Sequence, residues 1–281
     1  MSDGDLFGSP AEWPVAKLRE YFLQHHPEDY QLIDVRQLPE YSAEHLPGAV
    51  WMPAEELPQR LVDLDAAKTT IVYCSLGSLS RAAAQLLIRA GYRDVHVLQG
   101  GLHSWLYGAA TGLPEQFTAH LADAGNAKDQ AVLAWQVEET TRQFYEAMAD
   151  SLDEPEVAAL FAELAAAESH HKATLQALWE ALAGRPAGPV FPETALSELE
   201  LMEGGTRLSE ALAWAAKSST ARILDFAMAI ELNAYDHYLY LQRHATDPDS
   251  QRLFEVMADE ERRHLRSLGK SLEKLQHSTA G

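Results

Sequence analysis

Cysteine is almost absent from this chain: 281 residues include one, Cys74. A single cysteine forms no intramolecular disulfide, and it cannot supply the paired C-x-x-C knuckles of a structural zinc or rubredoxin-type site. Positive charge is also scarce. Lys+Arg number 22 against 42 Asp+Glu, a formal charge of −20. Phosphate repels so acidic a chain, which excludes electrostatic nucleic-acid binding. No apolar run approaches the ~20 residues of a membrane-spanning helix. The opening MSDGDLFGSPAEW has neither the basic nor the apolar region of a signal peptide. These absences lead to the expectation of a soluble cytoplasmic protein whose partners include no nucleic acid and no membrane. What the chain does have is apolar material, 47% of its residues, enough for sizeable cores, and a length that suits two domains.

The two parts differ in texture. Gln31–Val35, Ala49–Met52, Thr70–Tyr73 and Val95–Leu98 are short, apolar and rich in β-branched residues, as strands are. Helical stretches fall between them at Pro14–Gln24, Ala54–Leu64 and Ser80–Ala90. This alternation predicts a small parallel α/β sheet with flanking helices. From about residue 127 the texture becomes Ala, Leu and Glu with apolar spacing of three and four, predicting an all-α bundle. Thr111-Gly112-Leu113-Pro114 marks the break. The expected division is 1–114 as an α/β domain, 115–126 as a linker and 127–281 as a helical bundle. The helical part carries most of the negative charge, a net −14 for residues 115–281 against −6 for residues 1–114.

The helical part repeats itself with a shift of 93 residues. Glu138 falls on Glu231, Tyr145 on Tyr238, Pro155 on Pro248, Phe161 on Phe254, Glu168 on Glu261 and His171 on His264. Within each copy two glutamates lie 30 residues apart about a helix stop and restart, Asp153-Glu154-Pro155 in the first and Asp247-Pro248 in the second. Fifteen residues up one helix is ~22 Å, and fifteen back down returns to the same height. Glu168 and His171 share a helix face, as do Glu261 and His264. Four helices would therefore bring Glu, Glu-x-x-His, Glu and Glu-x-x-His to one level. Chance alone yields Glu-x-x-His roughly once in a chain with 26 Glu and 12 His, so the matched spacing carries the argument rather than the motif. Four buried carboxylates need positive charge among them. Two divalent ions balance them, and a carboxylate–imidazole donor set suits iron or manganese. Tyr145 and Tyr238, two turns beyond the lone glutamates, are candidates for hydrogen-bond donors to the ligands, or for plain core residues.

On these residues, the stretch ~127–277 resembles the rubrerythrin branch of the ferritin-like superfamily. That resemblance implies a four-helix bundle with a long crossover, here Gly184–Thr206. It also implies a metal centre of two ions held by Glu138, Glu168, His171, Glu231, Glu261 and His264. Two departures stand out. Rubrerythrins often place a further carboxylate three residues after the third-helix glutamate, where this chain has Ala234. They often carry a rubredoxin domain too, which one cysteine cannot build, so an external electron donor is expected.

Cys74 follows an apolar strand and precedes a helix beginning near Leu79 or Ser80. The small residues of Ser75-Leu76-Gly77-Ser78-Leu79-Ser80 let backbone N–H groups turn toward the sulfur, and the helix start adds a positive dipole end. Both favour the nucleophilic thiolate. The competing reading is a buried, inert cysteine. With Ile33-Asp34-Val35-Arg36, Glu40-Tyr41, His45-Leu46-Pro47-Gly48-Ala49, Leu98-Gln99-Gly100-Gly101 and Trp105, this half resembles a single rhodanese domain. The resemblance implies that Cys74 takes a sulfane sulfur from a small donor, with residues 75–80 forming the binding loop, and passes it to a thiol acceptor. Rhodanese loops commonly carry Arg five residues after the Cys. Leu79 stands there, and Arg81 falls in the following helix. Phosphatase-like relatives place Arg six residues on, where Ser80 sits, which argues against phosphatase activity. Asp34 and Arg36 read as a structural pair.

The functional expectation is a thiosulfate/persulfide sulfurtransferase, carrying persulfide on Cys74, fused to a di-iron (or di-manganese) oxidoreductase-type site acting on oxygen, peroxide or sulfur species, as a homodimer. One alternative is a di-iron oxidase or peroxidase whose rhodanese-like domain docks a partner or senses redox state. Another is a non-enzymatic iron-binding protein.

Overall fold

The structure is a computed structural model that describes residues 10–187 and 200–279. The extreme N-terminus and the middle of the expected crossover lie outside the described residues. The chain divides into two compact units, Met1–Leu113 and Pro114–Gly281.

Among the described residues the first unit is built on five strands: β1 (Ala11–Trp13), β2 (Tyr30–Asp34), β3 (Val50–Trp51), β4 (Thr69–Tyr73) and β5 (Val95–Leu98). They form one all-parallel sheet in the order β1-β5-β4-β2-β3. Both faces are covered, because successive residues of a strand point to opposite sides. Ile33, Val72 and Val97 pack on one face with Ala83, Ala84 and Leu87 of α3 (Ser78–Arg89). Leu32, Ile71, Tyr73 and Leu98 pack on the other with Leu18 of α1 (Val15–Gln24) and Tyr41 of α2 (Leu38–Ala43).

Three features depart from the sequence reading. The short helix α2 forms where no helix is expected, and edge strand β1 falls outside the expected strands. At three residues it is too short for alternation to register, and it forms by parallel pairing with β5. The stretch Ala54–Leu64, expected as a helix, is turns ending in one 3-10 turn, Leu61–Asp63. Pro58 contributes to this: it brings no amide hydrogen, so the ladder of helical hydrogen bonds is interrupted there.

In the second unit α5 (Ala127–Ser151), α6 (Pro155–Ala183), α8 (Thr220–His244) and α9 (Pro248–Thr279) are the four long helices of a ferritin-like bundle. Their limits follow local chemistry. Asn126 caps α5 by accepting from the amides of Lys128 and Asp129, both at 3.1 Å. Pro155 and Pro248 open α6 and α9, and Gly184 closes α6 with φ 64°. Residues 115–126, read as a linker, carry most of α4 (Pro114–Asp123), which packs on α8. The connection from α6 to α8 includes α7 (Leu208–Ala215), packed on α5.

The bundle holds two apolar cores. One gathers Phe144, Phe161, Leu164, Ile223 and Leu268, and the other Ala134, Leu175, Leu239, Phe254 and Met257. On each long helix the candidate ligands fall between its residues of the first core and its residues of the second. The polar layer is therefore sandwiched between two apolar ones. No helix among the described residues is long and apolar enough to cross a membrane.

Candidate functional site

At the carboxyl end of β4 the chain turns sharply around Cys74. Its Sγ accepts from the backbone amides of Gly77 at 3.1 Å and Ser80 at 3.4 Å, with Ser80 Oγ 3.5 Å away. Gly77, at φ 95°, makes the turn into α3 and leaves the first amides of that helix facing the sulfur. The backbone of Cys74 is pinned from the β5 side: Leu102 N donates to Cys74 O at 2.8 Å and His103 N to Ser75 O at 3.1 Å. That approach needs Gly101, because a Cβ there would lie 2.3 Å from Cys74 O. Ser75 Oγ donates to Glu40 at 2.6 Å, tying the loop to α2.

Cys74 is 4% exposed. Burial alone would raise its pKa, but the contacts from Ser80, Leu76 and Gly77 outweigh it, and the thiol titrates below its ordinary value. Of the other loop residues, Leu76 and Leu79 are exposed, at 67% and 42%. No residue from 75 to 80 carries charge. Arg81 lies in α3, with its guanidinium 2.9 Å from Glu12. Asp34 and Arg36 form a buried bidentate pair at the end of β2, 2.7 Å at the closest, and Arg36 continues to Glu44 O. They brace the loops and do not reach the sulfur's hydrogen bonds.

In the second unit the six ligand candidates meet. Glu138 of α5, Glu168 and His171 of α6, Glu231 of α8, and Glu261 and His264 of α9 are all buried. His171 Nδ1 lies 3.1 Å from Glu138, 3.1 Å from Glu261 and 3.3 Å from Glu168. His264 Nδ1 lies 2.7 Å from Glu231, though not in hydrogen-bonding geometry. Three overlapping trios each place one donor atom per residue within 4.8 Å of the others: Glu168–His171–His264, Glu138–His171–Glu261 and Glu231–Glu261–His264.

The tyrosines cross between the repeats. Tyr145 of α5 donates to Glu231 of α8, and Tyr238 of α8 donates to Glu138 of α5 at 2.7 Å. Each lone glutamate is thus oriented through one oxygen by the other repeat's tyrosine, leaving its second oxygen for the centre.

The protonation pattern reflects crowding. Burial and the neighbouring Glu138 push Glu168 well up, and burial drives Glu261 up to about 7. Glu138 is held at about 2 despite burial, because His171 and Tyr238 face it. His171 is raised against its own burial by Glu261 and Glu138. The remaining atoms are orphaned: both oxygens of Glu168 and of Glu261, Glu231 Oε2 and His264 Nδ1 have no hydrogen-bond partner. Buried polar atoms are normally satisfied. A layer of unsatisfied carboxylate and imidazole donors therefore fits a pair of divalent cations.

One buried carboxylate escaped sequence reasoning. Glu203, 4% exposed, groups with Glu138 and Glu168 within the same 4.8 Å limit. It lies on an irregular loop with no periodicity, and a shift of 93 residues in either direction gives it no counterpart in the helical part. The only signal is a lone Glu between Leu201-Met202 and Gly204-Gly205.

Comparison with known proteins finds two families along the chain. A family model described as Rhodanese-like domain matches residues 19–107, and one described as Rubrerythrin matches 132–219 and 222–280. A thiosulfate sulfurtransferase GlpE of Coxiella burnetii is 32% identical over 77 residues, covering 27% of this chain and 72% of that protein. A sulfurtransferase of Allochromatium vinosum is 32% identical over 87 residues, covering 31% and 78%. Among solved structures, a rhodanese-like domain protein from Staphylococcus aureus is 24% identical, with a TM-score of 0.32, covering 34% of this chain and 91% of that one.

Proposed function

This chain belongs to the rubrerythrin family and carries a rhodanese-like domain ahead of it, and from that premise we propose an enzyme that moves sulfane sulfur on Cys74 and performs redox chemistry at a di-iron centre.

The observation that carries the sulfur half is the cradle of Gly77 and Ser80 amides around Cys74 Sγ. In the proposed reaction the Cys74 thiolate attacks the outer sulfur of a donor R–S–SH. The donor S–S bond breaks, R–S⁻ leaves and Cys74 becomes a persulfide. An acceptor thiolate then attacks the terminal sulfur and releases the Cys74 thiolate. The amides hold the negative charge on the cysteine sulfur at the start and end of this cycle. The loop carries no cation, and Arg81 is engaged by Glu12. A persulfide therefore suits this loop better than the thiosulfate dianion, and the exposed Leu76 and Leu79 suit a donor or acceptor with apolar parts. Assaying the full chain with both donors tests this: we expect a lower KM for a persulfide, and equal KM values would refute the assignment.

In the helical unit Glu138, Glu168, His171, Glu231, Glu261 and His264 would hold two iron ions, with manganese as the alternative. Bound iron supplies electron exchange with oxygen, peroxide or sulfur species. The chain's own part is to orient Glu138 and Glu231 through the tyrosines and to bury the layer between two apolar cores. A cleft of about 230 Å³ between α6 and α9, lined by Leu164, His171, His264 and Leu268 among others, offers small molecules a route to the histidine side. Reducing equivalents would come from an external donor. Elemental analysis of protein from iron-replete cells tests the centre: two irons per chain are expected, and a metal-free bundle after anaerobic iron loading would refute it. Undiminished peroxide consumption in Cys74→Ser would favour the reading in which the first unit only docks or senses.

A further inference from the structure

The loop between α7 and the α6 end contains a small hairpin. Leu208 N donates to Glu200 O and Met202 N to Thr206 O, both at 2.8 Å, and Leu201 and Arg207 pair as an antiparallel bridge. The hairpin tip is Glu203-Gly204-Gly205, and three helices hold it: α5 and α8 of the bundle, and α4. Glu203 N donates to Thr141 Oγ1 of α5 at 3.0 Å. Gly204, at φ 74°, lies against α8, where a Cβ would come within 3.4 Å of Asn233 and 3.8 Å of the Ile230 backbone. Gly205, at φ 81°, faces α4, where a Cβ would come 2.3 Å from the Phe117 ring. Two glycines in left-handed backbone are what lets the tip enter this space.

The tip carries a carboxylate into the metal layer and leaves it without a partner. Both Glu203 oxygens are buried and neither has a hydrogen bond. One lies within 4.8 Å of oxygens of both Glu138 and Glu168. A void of about 50 Å³ is lined by both Glu203 and Ala234. Ala234 is one turn beyond Glu231 on α8, and its methyl group cannot reach an ion. An anchored hairpin that pushes an unpaired carboxylate toward other carboxylates makes physical sense only if positive charge sits among them.

We propose that Glu203 is a seventh metal-binding side chain of the centre, delivered by the connecting hairpin to the side of Glu138 and Glu168. The proposal rests on the reading that the bundle holds two ions. It differs from the six-ligand set in one respect: Glu203 comes from a loop outside the repeat, so the centre is asymmetric. The ion nearer Glu138 and Glu168 gains a carboxylate that its neighbour lacks.

The test uses the full chain with Glu203→Ala and Glu203→Gln, measuring ferrous-ion binding isotherms, the near-infrared circular dichroism of the ferrous pair, and melting with and without metal. Wild type is expected to bind two ions. Glu203→Ala is expected to bind one of them at least about tenfold more weakly, with altered ligand-field bands. Both metal-free variants should melt at higher temperature than metal-free wild type, because an unpaired buried carboxyl is gone, and both should gain less on loading. Wild-type affinities with an unchanged spectrum in Glu203→Ala would overturn the proposal and leave the di-iron reading intact. So would variants that melt lower without metal yet gain the full increment on loading, since Glu203 would then be a structural residue. Wild type that binds no ion overturns both.

Discussion

Cys74 is surrounded by main-chain N–H groups, whereas the helical layer is assembled from side chains drawn from four helices and a loop. The difference teaches where each site is vulnerable. A backbone cradle depends on turn geometry and on glycines that let chains approach, so most side chains around it can change. A side-chain layer depends on each donor, and this one gathers carboxyl groups in a buried core, where burial and their neighbours raise Glu168 and Glu261. The first site is satisfied in the folded chain; the second leaves both oxygens of Glu168 and of Glu261 without a hydrogen-bond partner.

The largest effect that separates the two is expected from Cys74→Ser. Sulfur transfer should fall to the uncatalysed rate while iron stays at two per chain, as read by cyanide or thiol acceptor assays beside elemental analysis. Retained transfer would remove Cys74 from the mechanism. Metal removal should act in the opposite sense. At free iron about a thousand times its Kd, the bound ions stabilise the helical unit by about 4 kcal/mol. Calorimetry of chelated protein should show that unit's transition fall while the α/β transition stays in place. Parallel shifts in both would dissolve the contrast.

The third expected effect is Gly101→Ala. The added methyl meets Cys74 O at 2.3 Å on backbone at φ 66°, and should cost the α/β unit on the order of 1–3 kcal/mol. Urea unfolding would measure it, with iron content as the unaffected control. Tyr145→Phe removes the donor to Glu231 and should weaken metal binding about tenfold without abolishing it; an unchanged isotherm would make Tyr145 a packing residue. The smallest effect concerns pH. Because the hydrogen bonds from Ser80, Leu76 and Gly77 lower the Cys74 pKa from its ordinary value, its thiolate fraction at neutral pH exceeds that of the same cysteine in the unfolded chain. Alkylation rate against pH should therefore have a lower midpoint in the folded chain than in the urea-unfolded chain, and Ser80→Ala should move it upward.

Much of this contrast could be read from the sequence, for a physical reason. Helix repeats obey a fixed rise per residue, so Glu138 and Glu168, thirty apart about a proline restart, had to return to one level. Cys74 stood between an apolar strand and a helix start, where amides converge whatever the side chains are. What resisted reading was local and aperiodic. The strand Ala11–Trp13 pairs only with β5, and α4 lies in a stretch with too little apolar periodicity to mark it. Pro58 interrupts the helical pattern of Ala54–Leu64. Glu203 is the most instructive miss, because its position depends on two positive-φ glycines and a threonine anchor rather than on any period.

The crossed tyrosines carry a last consequence. Tyr145 serves Glu231 and Tyr238 serves Glu138, so neither helical hairpin completes its own half of the centre. The arrangement is isologous: what the first hairpin gives the second, the second returns. That is the symmetry of a twofold dimer, here tied into one polypeptide. Joining the halves frees them to diverge, and Glu203, present once, is a difference that two identical chains could not have held.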